Sequence, residues 1–220
     1  MTQQIELLMH CGSDNTIANT ARVSMELDGG WNFLPENYTE KQRDGLIAYL
    51  AKNHHTSPFR HNSITLRCSA PIFLARQLGK HQVGMSWNEV SRRYVDSDIK
   101  FFVPEKWRAK PDGSIKQGSG NTHYDTGFWA LDYERQCAES LEMYEDMLKD
   151  GIAPEMARMV LPQSMMTQFI WTGSLMAFAH VYRLRIDGHA QVEAQDFAKE
   201  LDKVIRPLFP VAWDVLTKGQ

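Results

Sequence analysis

Between Ser63 and Ala70 the chain alternates without a break: Ile64, Leu66, Cys68 and Ala70 are apolar, and Thr65, Arg67 and Ser69 between them are polar. Successive side chains of a strand point to opposite faces, so this spacing predicts a strand with one buried and one solvated face. Pro71 comes next and suits the first turn of a helix, where its missing N–H would have no partner in any case. That helix is expected to carry Ile72, Phe73, Leu74 and Ala75 and to run on to Gly84. Arg76 with Lys80, and Gln77 with His81, would then form two stripes of donors at a spacing of four.

The elements around this unit mix helices and strands. Ile5 to Met9 reads as a short buried strand closed by a turn at Cys11, Gly12 and Ser13. Thr16 to Ser24 is helix-compatible in part, and Gly29, Gly30 and Pro35 mark a loop. Thr39 is placed to cap a helix through Leu46, Ile47 and Leu50, which ends where Ser57 and Pro58 break it. Asp98 to Trp107 is expected to be a strand ended by Pro104, followed by a long polar surface loop over 107–126. Thr126 to Asp150 predicts a long helix with Phe128, Leu131, Leu141, Tyr144 and Leu148 near one face, terminated by Gly151. A short helix from Pro154 carries Arg158. Thr167, Phe169 and Trp171 at period two indicate another strand, after which Ser174 caps a helix bearing His180, Arg183 and Arg185. An amphipathic helix over 189–209 and a short closing one from Pro210 complete the chain.

Composition narrows the function classes. At 220 residues and 43% hydrophobic content, the chain can bury roughly 70 to 75% of its unfolded surface, enough for one core. No apolar run approaches the roughly 20 residues of a membrane-spanning helix, and MTQQIELLMH lacks the pattern of a targeting leader. Three cysteines, Cys11, Cys68 and Cys137, are odd in number and far apart, which fits free thiols in a reducing cytoplasm. Three histidines, His54, His55 and His61, crowd one turn, but no carboxylate or thiolate completes a metal-ligand set. The GSG of the long loop lacks the preceding strand and following helix of a dinucleotide fingerprint. No GxSxG elbow supports a catalytic triad.

The densest chemistry lies from Arg76 to Tyr94, RQLGKHQVGMSWNEVSRRY. Arg76, Lys80, Arg92 and Arg93 stand against the single acid Glu89 there, in a chain whose net charge is −3. A nucleic-acid binder would carry a basic face over the whole domain, so the cluster points instead to a focused anion site. The part from Gly84 onward, SWNEVSRRY, reads as a turn or irregular segment presenting hydroxyls and amides. Guanidinium groups pair bidentately with phosphate while amides can read a planar base, so a nucleotide-like ligand fits.

These residues resemble the flavin-dependent thymidylate synthase family, marked by the pattern RHRxxSxNExSxRY. Ser86, Asn88, Glu89, Ser91, Arg93 and Tyr94 match its second half. Its first half differs: Lys80, His81 and Gln82 stand in place of Arg, His and Arg, and the spacer to Ser86 is one residue longer. ARVS at Ala21–Ser24, TSPFRH at Thr56–His61, PIFLARQ at Pro71–Gln77, ARMVLP at Ala157–Pro162 and RLRIDGHAQVE at Arg183–Glu193 also resemble family segments, in the same order.

The resemblance implies reductive methylation of dUMP to dTMP, with methylenetetrahydrofolate as carbon donor, FAD as hydride carrier and NADPH as reductant. It implies an α+β protomer, a single domain over 1–220 with an antiparallel sheet packed with long helices. It further implies a homotetramer whose active sites lie between subunits. By similarity, dUMP contacts fall on Gln77, Lys80, Glu89, Val90, Ser91, Arg92, Arg93, Arg158 and Arg185, with Ser91 and Arg185 as catalytic residues. Flavin contacts fall on Ser24, His55, Ser57, Lys80, His81, Gln82, Ser174 and His180. Lys80 lacks a bidentate fork and Gln82 lacks a charge; Arg60 is expected to restore the lost cation. The competing reading is a non-catalytic flavin- or nucleotide-binding homologue that kept the pocket and lost turnover.

Overall fold

The alternating segment forms β2 (Ser63–Pro71), and Ile64, Leu66, Cys68 and Ala70 are all fully buried. The structure, a computed structural model, describes residues 3–25, 33–111 and 118–218; Gly29 and Gly30 of the expected loop lie outside these. β2 pairs antiparallel with β1 (Gln4–Cys11) on one side and β4 (Met166–Gly173) on the other. β3 (Met85–Glu89) adds to the far side of β4, giving a four-stranded antiparallel sheet of order β1-β2-β4-β3. In this register Leu66 stands opposite both Leu7 and Trp171, which aligns the apolar sides of three strands.

Helices α1 (Asp14–Arg22), α2 (Glu40–Lys52), α6 (Leu175–Arg185), α7 (Val192–Ile205) and α8 (Pro210–Thr217) supply most of the rest of the core. Ile17, Ile47, Phe178, Phe197 and Trp213 pack in one cluster with Leu66 and Trp171. Each large apolar side chain moved from water into such a cluster contributes roughly 1.5–3 kcal/mol. The expected caps are present. Thr39 Oγ1 accepts the Gln42 N–H at 3.3 Å while Gln42 Oε1 accepts the Thr39 N–H at 2.9 Å. Ser174 Oγ accepts the Ala177 N–H at 3.3 Å. Gly151, at φ +83°, closes α4 (Thr126–Lys149), a backbone conformation that favours glycine.

Three expectations change. β1 is an edge strand with no fully buried residue, and it bulges between Leu7 and Met9; among the described residues it pairs with β2 alone, so one backbone edge has no strand partner. Residues 98–107 form no strand beyond a single bridge between Phe101 and Met165, because the contact lies past the end of β4 and Pro104 has no N–H to extend it. Of the apolar face expected on α4, only Tyr144 is buried, while Phe128 and Leu131 are exposed. α4 docks through its middle: the Tyr133 hydroxyl donates to the Phe102 carbonyl at 2.5 Å and its ring meets Trp107 edge-on.

Candidate active site

The helix after Pro71 is shorter than expected. α3 (Ile72–Leu78) stops at Gly79, whose N–H reaches the Ala75 carbonyl at 2.8 Å. Lys80 and His81 therefore lie in a turn rather than on two helical stripes. Gly84, at φ +71°, then turns the chain into β3, using a conformation that costs glycine least. MSWNE is strand rather than irregular loop because its alternation has a partner: Trp87 stacks on Phe169 of β4 with ring centroids 3.6 Å apart. Only five residues long, with polar residues at every second place, β3 carries too little periodicity to stand out in the sequence.

Two cavities are lined by residues of this segment. The first, about 390 Å³, lies between α3 and β3 and is lined by Arg76, Lys80, His81, Gln82, Trp87 and Glu89. Glu89 is its single carboxylate and is held from two sides, by the Thr167 hydroxyl at 2.8 Å and the Trp87 indole N–H at 3.2 Å. The second, about 580 Å³, is lined by Gln77, Arg108, Ser119, Arg183, Arg185 and His189, among others. Gln77 Oε1 is buried without a hydrogen-bond partner, a costly state for a polar atom unless something comes to meet it.

His81 and Arg185 join the two cavities. Arg185 Nε donates to His81 Nε2 at 3.0 Å, and the His180 ring stands edge-on to His81 at 5.9 Å. Burial first, then the charge of Arg185 and the neighbouring His180, lower the His81 pKa to about 4. The imidazole is thus neutral near pH 7 and has a lone pair to offer. Burial also lowers the pKa of Arg185, although a guanidinium keeps its proton throughout the accessible range.

Gln77, Lys80, His81, Gln82, Glu89, His180 and Arg185 are thus brought together around α3, β3 and α6. The other expected residues make their own bonds outside this group, although Ser174 follows Gly173, which pairs with Met85 at the start of β3. The Val90 N–H is tied to the Gln168 carbonyl at 2.9 Å, and Ser91 Oγ accepts from both the backbone N–H and Nε of Arg93 at 3.3 Å. Arg92 turns onto its own loop, donating to the carbonyls of Ser97 at 2.7 Å and Val95 at 3.3 Å. Arg158 is exposed beyond α5 (Pro154–Ala157) and donates to the Glu155 carbonyl. Ser24, His55 and Ser57 are exposed around the ends of α1 and α2, where His55 meets Tyr49 edge-on. Ser174 is engaged as the cap of α6. No hydrogen bond or ion pair among the described residues joins Ser91 or Arg158 to Arg185. Arg60 is exposed at the end of the Ser57–Arg60 turn; the second cation lining the first cavity beside Lys80 is Arg76.

Sequence reading passed over Arg108. Its guanidinium donates to both carboxylate oxygens of buried Glu193, at 2.7 and 2.9 Å, and to Ser119 at 2.6 Å. A pair separated by 85 positions leaves no local signal. A larger cavity of about 1070 Å³, between α7 and residues 102–108, contains none of the expected site residues. Among the described residues no group of His, Cys, Asp or Glu is arranged to hold a metal ion, and no helix is long and apolar enough to cross a membrane.

Comparison with known proteins places the chain in a family. Residues 6–211 match the family model described as thymidylate synthase complementing protein. A flavin-dependent thymidylate synthase of Thermosipho africanus is 34% identical over 181 residues, covering 82% of this chain and 79% of that protein. One from Thermus thermophilus is 34% identical over 209 residues, 95% of this chain and 73% of that one. Among solved structures, the UMP/dUMP methylase PolB of Streptomyces cacaoi, bound with 5-bromo-dUMP, superposes with a TM-score of 0.84 at 30% identity. That alignment covers 98% of this chain and 94% of PolB. The match runs over nearly the whole chain in both sequence and fold, and the chain belongs to the flavin-dependent thymidylate synthase family.

Proposed function

We propose that this chain catalyses reductive methylation of dUMP to dTMP, with methylenetetrahydrofolate as carbon donor, FAD as hydride carrier and NADPH as reductant. The observation that carries the reading is a pair of cavities linked by the His81–Arg185 bond, one cationic and one lined by Arg185 and the unpartnered amide oxygen of Gln77, in a chain of this family. Lys80, Arg76, His81 and the Gln82 amide suit an anionic planar cofactor, since the only carboxylate facing them is already held by Thr167 and Trp87. Bound flavin would supply the hydride that completes the transferred methyl group.

The chain's own groups divide the remaining work. Arg185 faces the pyrimidine and stabilises negative charge as the ring becomes nucleophilic at C5, the role of a preorganised donor. Gln77 reads the base beside it. Ser91, Arg93 and Arg158, with neighbouring backbone amides, hold the phosphate through charge-assisted bonds worth about 1.5–3 kcal/mol each. Arg92 acts through the loop it clasps. Ser24, His55, Ser57, Ser174 and His180 complete the flavin side.

The phosphate group of residues and the Arg185 group make no contact within one chain, and a flavin dinucleotide is larger than a cleft of about 390 Å³. Both facts favour sites completed by a second protomer. So do the exposed Phe128, Trp129, Leu131 and Met143 of α4, an apolar surface suited to burial against other copies in a homotetramer. The test is direct: purified protein should bind FAD, oxidise NADPH faster when dUMP is present, and form dTMP only with methylenetetrahydrofolate. Protein that ignores FAD, or binds it and never forms dTMP, overturns the proposal.

A further inference from the structure

We infer that His81 is a positioning residue for Arg185, its ring nitrogen fixing where the guanidinium meets the pyrimidine. The inference rests on the reading of the site given above and adds a role to a residue otherwise assigned to the flavin side. Its basis is geometric. The 3.0 Å bond from Arg185 Nε to His81 Nε2 crosses 104 positions and joins the turn after α3 to the last turn of α6. His81 lines the cleft beside β3, whereas Arg185 lines the other cavity, so the bond forms part of the boundary between them. It uses only Nε, and no other hydrogen bond of Arg185 occurs among the described residues, so both terminal nitrogens remain for a ligand.

An arginine held in this way loses less freedom on meeting its ligand than one that swings free, so more of its interaction appears as binding. The arrangement also selects a tautomer. With Nε2 accepting, a neutral imidazole carries its proton on Nδ1, leaving that N–H as a donor for a second partner. Protonation would replace the acceptor with a donor and set a second cation against Arg185. The neighbouring His180 of α6, and Lys80 and Arg76 on the α3 side, would add to that repulsion, with Glu89 across the cleft opposing it.

The test measures dUMP affinity of the protein saturated with FAD, by calorimetry. His81→Leu should weaken binding about tenfold, a loss in the range for one hydrogen bond to a charged group. His81→Gln, which retains an acceptor, should recover most of it. In a double-variant cycle the loss from His81→Leu should shrink to less than about twofold once Arg185→Lys is present, because both act through one bond. Unchanged affinity in His81→Leu, or additive losses, overturns the inference. Should His81→Leu fail to fold, the Arg185 Nε–H signal of ¹⁵N-labelled wild-type protein serves instead: it should shift as pH falls toward 4, and indifference to His81 titration counts against the bond. Absence of dUMP binding by wild-type protein would refute the functional reading, whereas the proton signal tests the pair independently.

Discussion

A mixture of two impaired variants would show whether one active site is built from two protomers. On the proposed reading, Arg158→Ala removes a phosphate ligand, and Arg185→Ala removes the donor facing the pyrimidine. Each loses at least one charge-assisted bond of about 1.5–3 kcal/mol, which lowers turnover roughly ten- to hundredfold. Within one chain the two arginines share no contact: Arg158 reaches the Glu155 carbonyl and Arg185 reaches His81. If a site takes Arg158 from one protomer and Arg185 from its neighbour, random mixing in equal amounts leaves about one site in four with both arginines intact. Activity should then rise to about a quarter of wild type, well above either parent. Co-expression with two affinity tags, isolation of doubly tagged oligomers and measurement of dTMP formation provide the assay. Doubly tagged oligomers no more active than the parents would refute the shared site, because an active site built within one chain always lacks one arginine in the mixture.

Other predictions concern the scaffold. The Asp14 carboxylate accepts the N–H groups of Val211 and Ala212 at 2.9 and 3.0 Å, capping α8 from the opposite end of the chain. Asp14→Ala leaves both donors unmet and should cost about 2–4 kcal/mol in urea unfolding; a loss below about 0.5 kcal/mol would show that water replaces the cap. Burial raises the Asp202 pKa, but hydrogen bonds from Arg206 and the Trp213 indole outweigh it and leave the group below its ordinary value. Its stabilisation should be present above the usual carboxylate pKa and fade as pH falls through the folded value; Asp202→Asn should flatten that acid limb in unfolding midpoints taken from pH 7 to 3, and an unaltered limb would remove Asp202 as its source. A Cβ on Gly173 would lie 2.2 Å from Met85 Sδ and 3.2 Å from the Gly84 carbonyl, so Gly173→Ala should displace the start of β3, at a cost of about 1–3 kcal/mol. FAD titration should show weaker binding by this variant, and wild-type affinity would mean that Met85 moves aside freely.

Much of the fold was legible wherever periodicity or a cap signal was strong. The strict alternation of β2, the Thr39 and Ser174 caps and the Gly151 stop are all where the residues placed them. Local chemistry misled where the partner is distant. β3 reads as polar turn until Phe169 supplies a stacking surface for Trp87, and the α4 residues read as a core face although the chain offers them little to pack against.

The sequence by itself determined the family and named the groups to look for in a candidate site, because motif residues and their order survive without coordinates. Tertiary structure decided which of those groups meet. Gly79 ends α3 just before Lys80 and His81, which therefore form no helical stripes, and the 3.0 Å bond from the end of α6 makes His81 the partner of Arg185. It also decided that Arg76 shares the first cavity with Lys80 and that Arg108 closes on Glu193. Hydrogen bonds act over about 3 Å; pairs 104 and 85 positions apart come within that reach only through the packing of the whole chain.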